Sequence, residues 1–166
     1  LQEYERIQNR LALSQVSMRA ETFQEFLFEP GQFDVILLHN SVNHLDEVAC
    51  ADLQFSAAAQ ASYTNLFRKL FLLCAPDARL IICDCSRYNF FGQIGLKNPL
   101  APSIEWKKHQ SPHTWASLAG NVGFGEATIH WTSFLDVGRA EPLLSNQLAA
   151  YFLGSHFCLT LKNLNR

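Results

Sequence analysis

Two short apolar runs with a helical stripe between them constrain this chain more than any other feature. Phe33-Asp34-Val35-Ile36-Leu37-Leu38 and Leu80-Ile81-Ile82-Cys83 are almost continuously apolar and rich in β-branched residues, the pattern of strands covered on both faces. Between them Leu66, Phe67, Leu70, Phe71 and Cys74 recur at three- and four-residue spacing and stop at Pro76-Asp77, as in a helix lying on a core. A strand, a crossover helix and a second buried strand make a βαβ unit, and parallel pairing requires such a crossover. The chain is therefore expected to be α/β.

The flanking segments extend the pattern. Leu1, Tyr4, Ile7 and Leu11 mark a helix, and Val16, Met18 and Ala20 alternate with Ser17 and Arg19 as a short strand. Phe23, Phe26 and Leu27 suggest one or two helical turns before Pro30-Gly31. Ser111-Pro112 sets a capping hydroxyl before a first-turn proline, and Trp115, Leu118, Ala119 and Val122 follow on one face before Gly123. The last third reads as a strand over Ala127 to Phe134, a helix around Leu144, Leu148 and Phe152 ending at Gly154, and a strand through Phe157, Leu159 and Leu161.

Composition narrows the function classes. A chain of 166 residues, 48% hydrophobic and 17% charged, can build a core, which excludes disorder for most of its length. A net charge of −2 argues against gripping nucleic acid or anionic lipid, so a small-molecule substrate is the expected partner. The densest apolar run, Leu66 to Ala75, is interrupted by Arg68 and Lys69 and is too short for a membrane span. Five scattered cysteines fit reduced thiols better than a disulfide framework, and the expected compartment is the cytoplasm.

In an open α/β sheet, ligands bind beyond the carboxyl ends of the strands. After the first buried strand come His39-Asn40-Ser41-Val42-Asn43-His44, and after the second Asp84-Cys85-Ser86-Arg87-Tyr88-Asn89. Both loops are polar and converge on one crevice if the strands are neighbours.

With these segments in order, the sequence resembles a class I S-adenosylmethionine-dependent methyltransferase, with its Rossmann-like sheet. Phe33 to Leu38 followed by His39 to Leu45, with the pair His44-Leu45, is similar to the family's fourth strand and its loop. Leu70 to Cys83 resembles the helix, L-x-P-G-G-x-L turn and fifth strand, although Asp77 and Ala78 stand where the family has two glycines. Ser111 to Phe124 is similar to the last large helix with its terminal Gly-Phe. The likeness covers roughly residues 14–162. It implies a mostly parallel sheet in the order 3-2-1-4-5-7-6 with an antiparallel last strand. The family's glycine-rich turn after the first strand is absent, as is the acidic residue after the second. Residues 1–166 are accordingly expected to be one α/β domain, incomplete at its amino-terminal side and lacking the first two strands.

The same resemblance implies S-adenosylmethionine as cofactor and assigns roles by position. Glu21 and Thr22 fall near the adenine, and His39, Asn40 and Ser41 beside the sulfonium and its methyl group. His44 is the candidate general base, since a neutral imidazole can take the acceptor's proton; the alternative is a histidine that caps the following helix. Asp84 and Arg87 either orient a substrate or pair with each other. Tyr88, Phe90, Phe91 and Trp106 either line an apolar substrate pocket or belong to the core. Metal binding is not expected, because Pro112 separates His109 from His113 and Cys83 and Cys85 lack a second pair. Without a G-x-S-x-G elbow a serine hydrolase is discounted. A methyltransferase-like binding domain without catalysis and a nicotinamide-dependent dehydrogenase are the competing readings.

Overall fold

The computed structural model describes residues 6–7, 10, 15–132 and 141–164. Among the described residues four strands form one sheet: β1 (Phe33–His39), β2 (Cys74–Cys85), β3 (Phe124–Thr132) and β4 (His156–Asn163). Among the described residues the helices with defined bounds are α1 (Glu47–Asp52), α2 (Ala57–Leu73), α3 (Phe90–Gln93), α4 (Pro112–Gly120), α5 (Glu141–Leu144) and α6 (Gln147–Phe152). The strand order is β1-β2-β4-β3, with β1 parallel to β2 and β4 antiparallel to both of its neighbours. Three strands thus share a direction and the last runs against them, which is the 4-5-7-6 portion of the expected sheet. Because the reversed strand lies between two others, two of the three ladders are antiparallel, so "mostly parallel" holds for strand direction and not for pairing.

Crossover helix α2 begins nine residues before the first large apolar residue of its stripe. Ser56 caps it by accepting the Ala59 N–H at 3.2 Å, and the alanine-rich first turns supply helix propensity without apolar bulk. Tyr63, Leu66, Phe67 and Leu70 are buried against Ala78, Leu80 and Ile82 of β2 and Phe157, Leu159 and Leu161 of β4. Trp115, Leu118 and Ala119 of α4 complete this side, with the Trp115 ring between Tyr63 and Phe67 at centroid distances of 5.1 and 5.9 Å. Helix α4 starts as expected at Ser111, whose hydroxyl accepts the Thr114 N–H at 3.1 Å. Gly123 follows at φ +118, and a Cβ there would sit 2.6 Å from the Phe71 ring.

The opposite face of the sheet is bare. Val35 and Leu37 of β1 are 55% and 59% exposed, and Ile81, Cys83 and Cys158 on the same face are only partly covered. This corrects the expectation that the Phe33–Leu38 strand is central and covered on both faces: in the described residues β1 is an edge strand. Val16 to Ala20 is likewise not a strand but an exposed, irregular segment, since no described strand lies where it could pair. Phe23 and Phe26 lie in and beside a single turn closed by the Phe26 N–H to the Thr22 carbonyl at 3.0 Å. Of the expected first helix, Arg6, Ile7 and Arg10 are helical and the remainder lies outside the described residues, as does Phe134.

The Pro76-Asp77 turn is a bulge within β2: the partner of Phe33 is Cys74, while that of Val35 is Arg79. Asp77 has φ +62 and its carboxylate meets Lys162 Nζ at 2.9 Å. An aspartate thus takes the left-handed geometry for which the resemblance supplies glycine, a conformation short polar side chains tolerate best. Asp77→Val, β-branched at the same φ, is expected to lower stability by about 1–2 kcal/mol, read from the urea midpoint.

Candidate functional site

The site forms where β1 and β2 end side by side, with His39 opposite Cys83. The Asn40 N–H extends the ladder by one bond, to the Cys83 carbonyl at 2.8 Å, and Asn40 then turns the chain with φ +48. The Ser41 carbonyl accepts the His44 N–H at 3.1 Å, closing a turn that buries Val42 and Asn43. From α2 the Tyr63 hydroxyl reaches the carbonyls of Val42, Asn43 and Asp46 at 3.0, 3.2 and 3.2 Å. Burial among these groups raises the Tyr63 pKa far above the ordinary phenol value. Asp46 caps α1 through the Ala49 N–H at 3.0 Å and accepts the Ser62 hydroxyl at 2.7 Å.

His44 lies on the outside of this loop. Its side chain is 57% exposed and its Nδ1 is 2.6 Å from Glu47 Oε1, holding the Glu47 carboxyl below the usual carboxylate range. Of the two alternatives open on the sequence, the structure displays a local contact with the first turn of the next helix. Glu21 and Thr22 sit on a neighbouring segment tied to the same loop by the Gln24 amide, which donates to the Leu45 carbonyl. Lys69 holds that segment to α2 by donating to the carbonyls of Phe23 and Gln24 at 2.6 and 3.0 Å. The Thr22 hydroxyl is engaged with Glu25 at 2.7 Å in a capping-box arrangement, and Glu21 pairs with Arg19 at 3.2 Å.

At the end of β2, Asp84 is fully buried. One oxygen, Oδ1, accepts from His109 Nδ1 at 3.0 Å and from the Cys85 N–H at 2.7 Å, while Oδ2 has no partner. Arg87 does not pair with Asp84. It donates to the Gln110 side-chain oxygen at 3.4 Å instead, because the segment carrying His109 and Gln110 lies across the strand end and takes both partners. Gln110, itself buried, donates to the Cys50 carbonyl at 2.6 Å and fastens that strap to α1. Tyr88 accepts from Gln54 at 3.3 Å. Trp106 is buried at the start of the strap, against Gly92, where a Cβ would come within 2.6 Å of its ring. Trp106 is therefore loop packing, and Phe90 clusters with Phe91, Tyr151 and Phe152.

Sequence reasoning missed two histidines here. In the sequence His109 stands out only as a possible metal ligand, through its spacing to His113, and no pattern marks His156. The His156 pKa is lowered to about 4, first by burial and further by His109 and His39, with Asp84 acting in the opposite sense. His39, Asp84, His109 and His156 thus share one electrostatic neighbourhood. Cys85 lies 3.3 Å from both ring nitrogens of His156, and burial raises its thiol pKa well above the ordinary range. Both partners are neutral near pH 7, so this is not an activated thiolate. Next along the two segments, at Ser86 and Ser111, is a cavity of about 160 Å³ that is also lined by Tyr88, Trp131, Gln147 and Tyr151 and by Pro112 and His113 from the start of α4. Among the described residues no group of three or more His, Cys, Asp or Glu is arranged to hold a metal ion, and no helix is long and apolar enough to cross a membrane.

No protein-family model matches the chain, and no curated protein matches it in sequence. Solved structures do match in fold. A SAM-dependent methyltransferase from Thermotoga maritima aligns over 96% of this chain and 70% of its own, at 17% identity and a TM-score of 0.59. One from Aquifex aeolicus aligns over 95% and 58%, at 11% identity and a TM-score of 0.55. One from Methanosarcina mazei aligns over 88% and 66%, at 12% identity and a TM-score of 0.51. The chain therefore spans between 58% and 70% of the length of these structures.

Proposed function

We propose, from the class I S-adenosylmethionine-dependent methyltransferase fold that the chain adopts, that it takes part in methyl transfer from S-adenosylmethionine to a small-molecule acceptor. The observation that carries this reading is the buried, unpartnered Asp84 Oδ2 at the carboxyl end of β2, beside the loop turned by Asn40. A buried carboxylate oxygen without a donor is costly in a finished core and is expected where a ligand completes the site. The unpartnered, buried Asn43 Oδ1 on the neighbouring loop adds a second acceptor. Acceptor groups of this kind fit a cationic, amine-bearing ligand.

In this reading His39, Asn40 and Ser41 hold the methionine end of the donor, and Glu21 accepts from the adenine amine. Thr22 contributes its turn geometry, its hydroxyl being engaged by Glu25. When bound, S-adenosylmethionine supplies an electrophilic methyl group on a sulfonium, and the chain's task is to hold the acceptor in line with it, which removes freedom otherwise lost in the barrier. The proposal includes further strands alongside β1, supported by its bare edge and the uncovered sheet face. It also includes a reducing, cytoplasmic setting, supported by the placement of Cys50, Cys74 and Cys85 in the interior. A binding domain without catalysis is the second reading, favoured by Asp77 and Ala78 in the turn and by the engaged Thr22.

Calorimetric titration of the full-length protein with S-adenosylmethionine and with its demethylated product separates these from an unrelated function. Saturable binding of both, each displacing the other, is the expected result. Failure of the full-length protein to bind either one ends the methyltransferase reading.

A further inference from the structure

Cys50, Cys74 and Cys85 are buried, and the two cysteines that are not, Cys83 and Cys158, stand directly opposite one another on β2 and β4. Residues paired across a ladder point to the same face. For this pair it is the bare face of the sheet, shared with Val35 and Leu37 of β1.

The ladder sets how close the two thiols come. Hydrogen-bonded pairs alternate along an antiparallel ladder with non-bonded ones, and a non-bonded pair brings its Cα atoms to about 4.5 Å with the side chains closer. The Ser86 N–H donates to the Ser155 carbonyl at 2.7 Å, so these two are a bonded pair and Asp84 and Phe157 the next. Cys85–His156 and Cys83–Cys158 fall on the non-bonded positions. The other edge of β2 agrees: the Cys83 carbonyl accepts the Asn40 N–H at 2.8 Å, so the main-chain groups of Cys83 face β1 and not β4. In the equivalent pair two residues on, the Cys85 thiol and the His156 ring are 3.3 Å apart, which shows the reach of such a pair. Burial, and then the Cys158 thiol beside it, raises the Cys83 pKa above the ordinary thiol value, so the two sulfurs sense each other. A Cα spacing of about 4.5 Å lies at the short end of the range that disulfides span. A bond closed there carries strain, and strained disulfides are the ones that thiols reopen readily.

We propose that Cys83 and Cys158 form a reversible oxidation site, a dithiol that hydrogen peroxide converts to a cross-strand disulfide and that a small thiol such as glutathione restores. In the first step one sulfur forms a bond to a peroxide oxygen, the O–O bond breaks, and the thiol proton leaves with the departing hydroxide as water. The facing sulfur then forms a bond to the sulfenic sulfur, the S–O bond breaks, and the second thiol proton leaves with that hydroxide as a second water. The two thiols lose two electrons and the peroxide gains them. In the return direction two glutathione thiols give up two electrons and two protons and leave as glutathione disulfide. Cys85 takes no part, because it faces an imidazole and not a sulfur. The site stands on the sheet register alone, whether or not the chain transfers methyl groups.

The test exposes the reduced full-length protein to hydrogen peroxide, alkylates the remaining thiols and maps the tryptic peptides by mass without reducing them. The expected product joins peptide 80–87 to the peptide carrying Cys158. Fragmentation should place the bond on Cys83 and not on Cys85, in at least about tenfold excess over any other pairing. Reduced glutathione should reopen it. Cys85→Ser should leave the cross-link in place, whereas Cys83→Ser and Cys158→Ser should each remove it. In urea the preference should vanish, because the ladder no longer holds the thiols together. A folded, unmodified protein that forms no such cross-link overturns the inference, as does a bond through Cys85 or one that glutathione leaves closed, and these outcomes decide the matter even if a variant fails to fold. The same preference in urea overturns it too, since the register would then not be its cause.

Discussion

Asn89→Asp is expected to destabilise the protein by about 3 kcal/mol or more at pH 7, although it changes the side chain's volume hardly at all. The amide nitrogen of the buried Asn89 donates to the carbonyls of Tyr151 and Leu153 at 3.1 and 3.0 Å and to the Ser155 hydroxyl at 3.1 Å. Its oxygen accepts from the Phe91 N–H at 3.1 Å and the Asn98 amide at 3.5 Å. A carboxylate in that place turns a donor into a charge facing acceptors. The introduced carboxyl would have its folded-state pKa raised above the unfolded value of about 4. Its penalty is therefore fully present above the folded pKa and shrinks as pH falls toward the unfolded one. Urea midpoints at pH 7 and about pH 4.5 check this: a penalty equal at both would mean that the lost donors, not the charge, dominate. Because Asn89 ties the loop after β2 to α6 and the turn before β4, the same variant should also blunt ligand binding in the neighbouring cavity.

The second large effect lies in the core. Trp115→Ala is expected to cost about 3–5 kcal/mol, since it empties a fully buried site between two aromatic rings. Trp115→Phe should cost less than half of that. The indole nitrogen has no hydrogen-bond partner, so its removal strands no acceptor and leaves only the volume difference. Thermal or urea unfolding of the two variants side by side reads this directly. Near-equal losses would show that the indole N–H, not the volume, is what the site requires.

The features that could be read from the sequence are those set by local periodicity. The buried runs of β1 and β2, the crossover stripe of α2, the Ser111 cap of α4 and the alternation in β4 all emerge from patterns of a few residues. Their order then fixes the sheet order, because a crossover dictates a parallel neighbour. Val16–Ala20 failed as a strand because alternation describes a strand's faces but says nothing of whether a partner is present. β1 reads as central for the same reason: its composition is that of a strand flanked on both sides, and the flank is not among the described residues.

The site was legible in place but not in partnership. The sequence places Asp84 at the strand end, yet its partner is residue 109 and not residue 87. The Asp84–His109 contact joins residues 25 apart along a strap with no periodic pattern, and no local rule signals it. His44, conspicuous in the sequence, makes the contact that its three-residue spacing to Glu47 alone would allow.

The clamp beneath the loop after β1 has a consequence for affinity. One phenol hydroxyl, buried in α2, addresses three carbonyls of the Val42–Asp46 segment and sets its path while the wall toward β1's open edge is still bare. The entropy of ordering that wall is thus lost during folding and not at the moment a ligand arrives. A binding surface prepared in this way converts more of its contact energy into affinity.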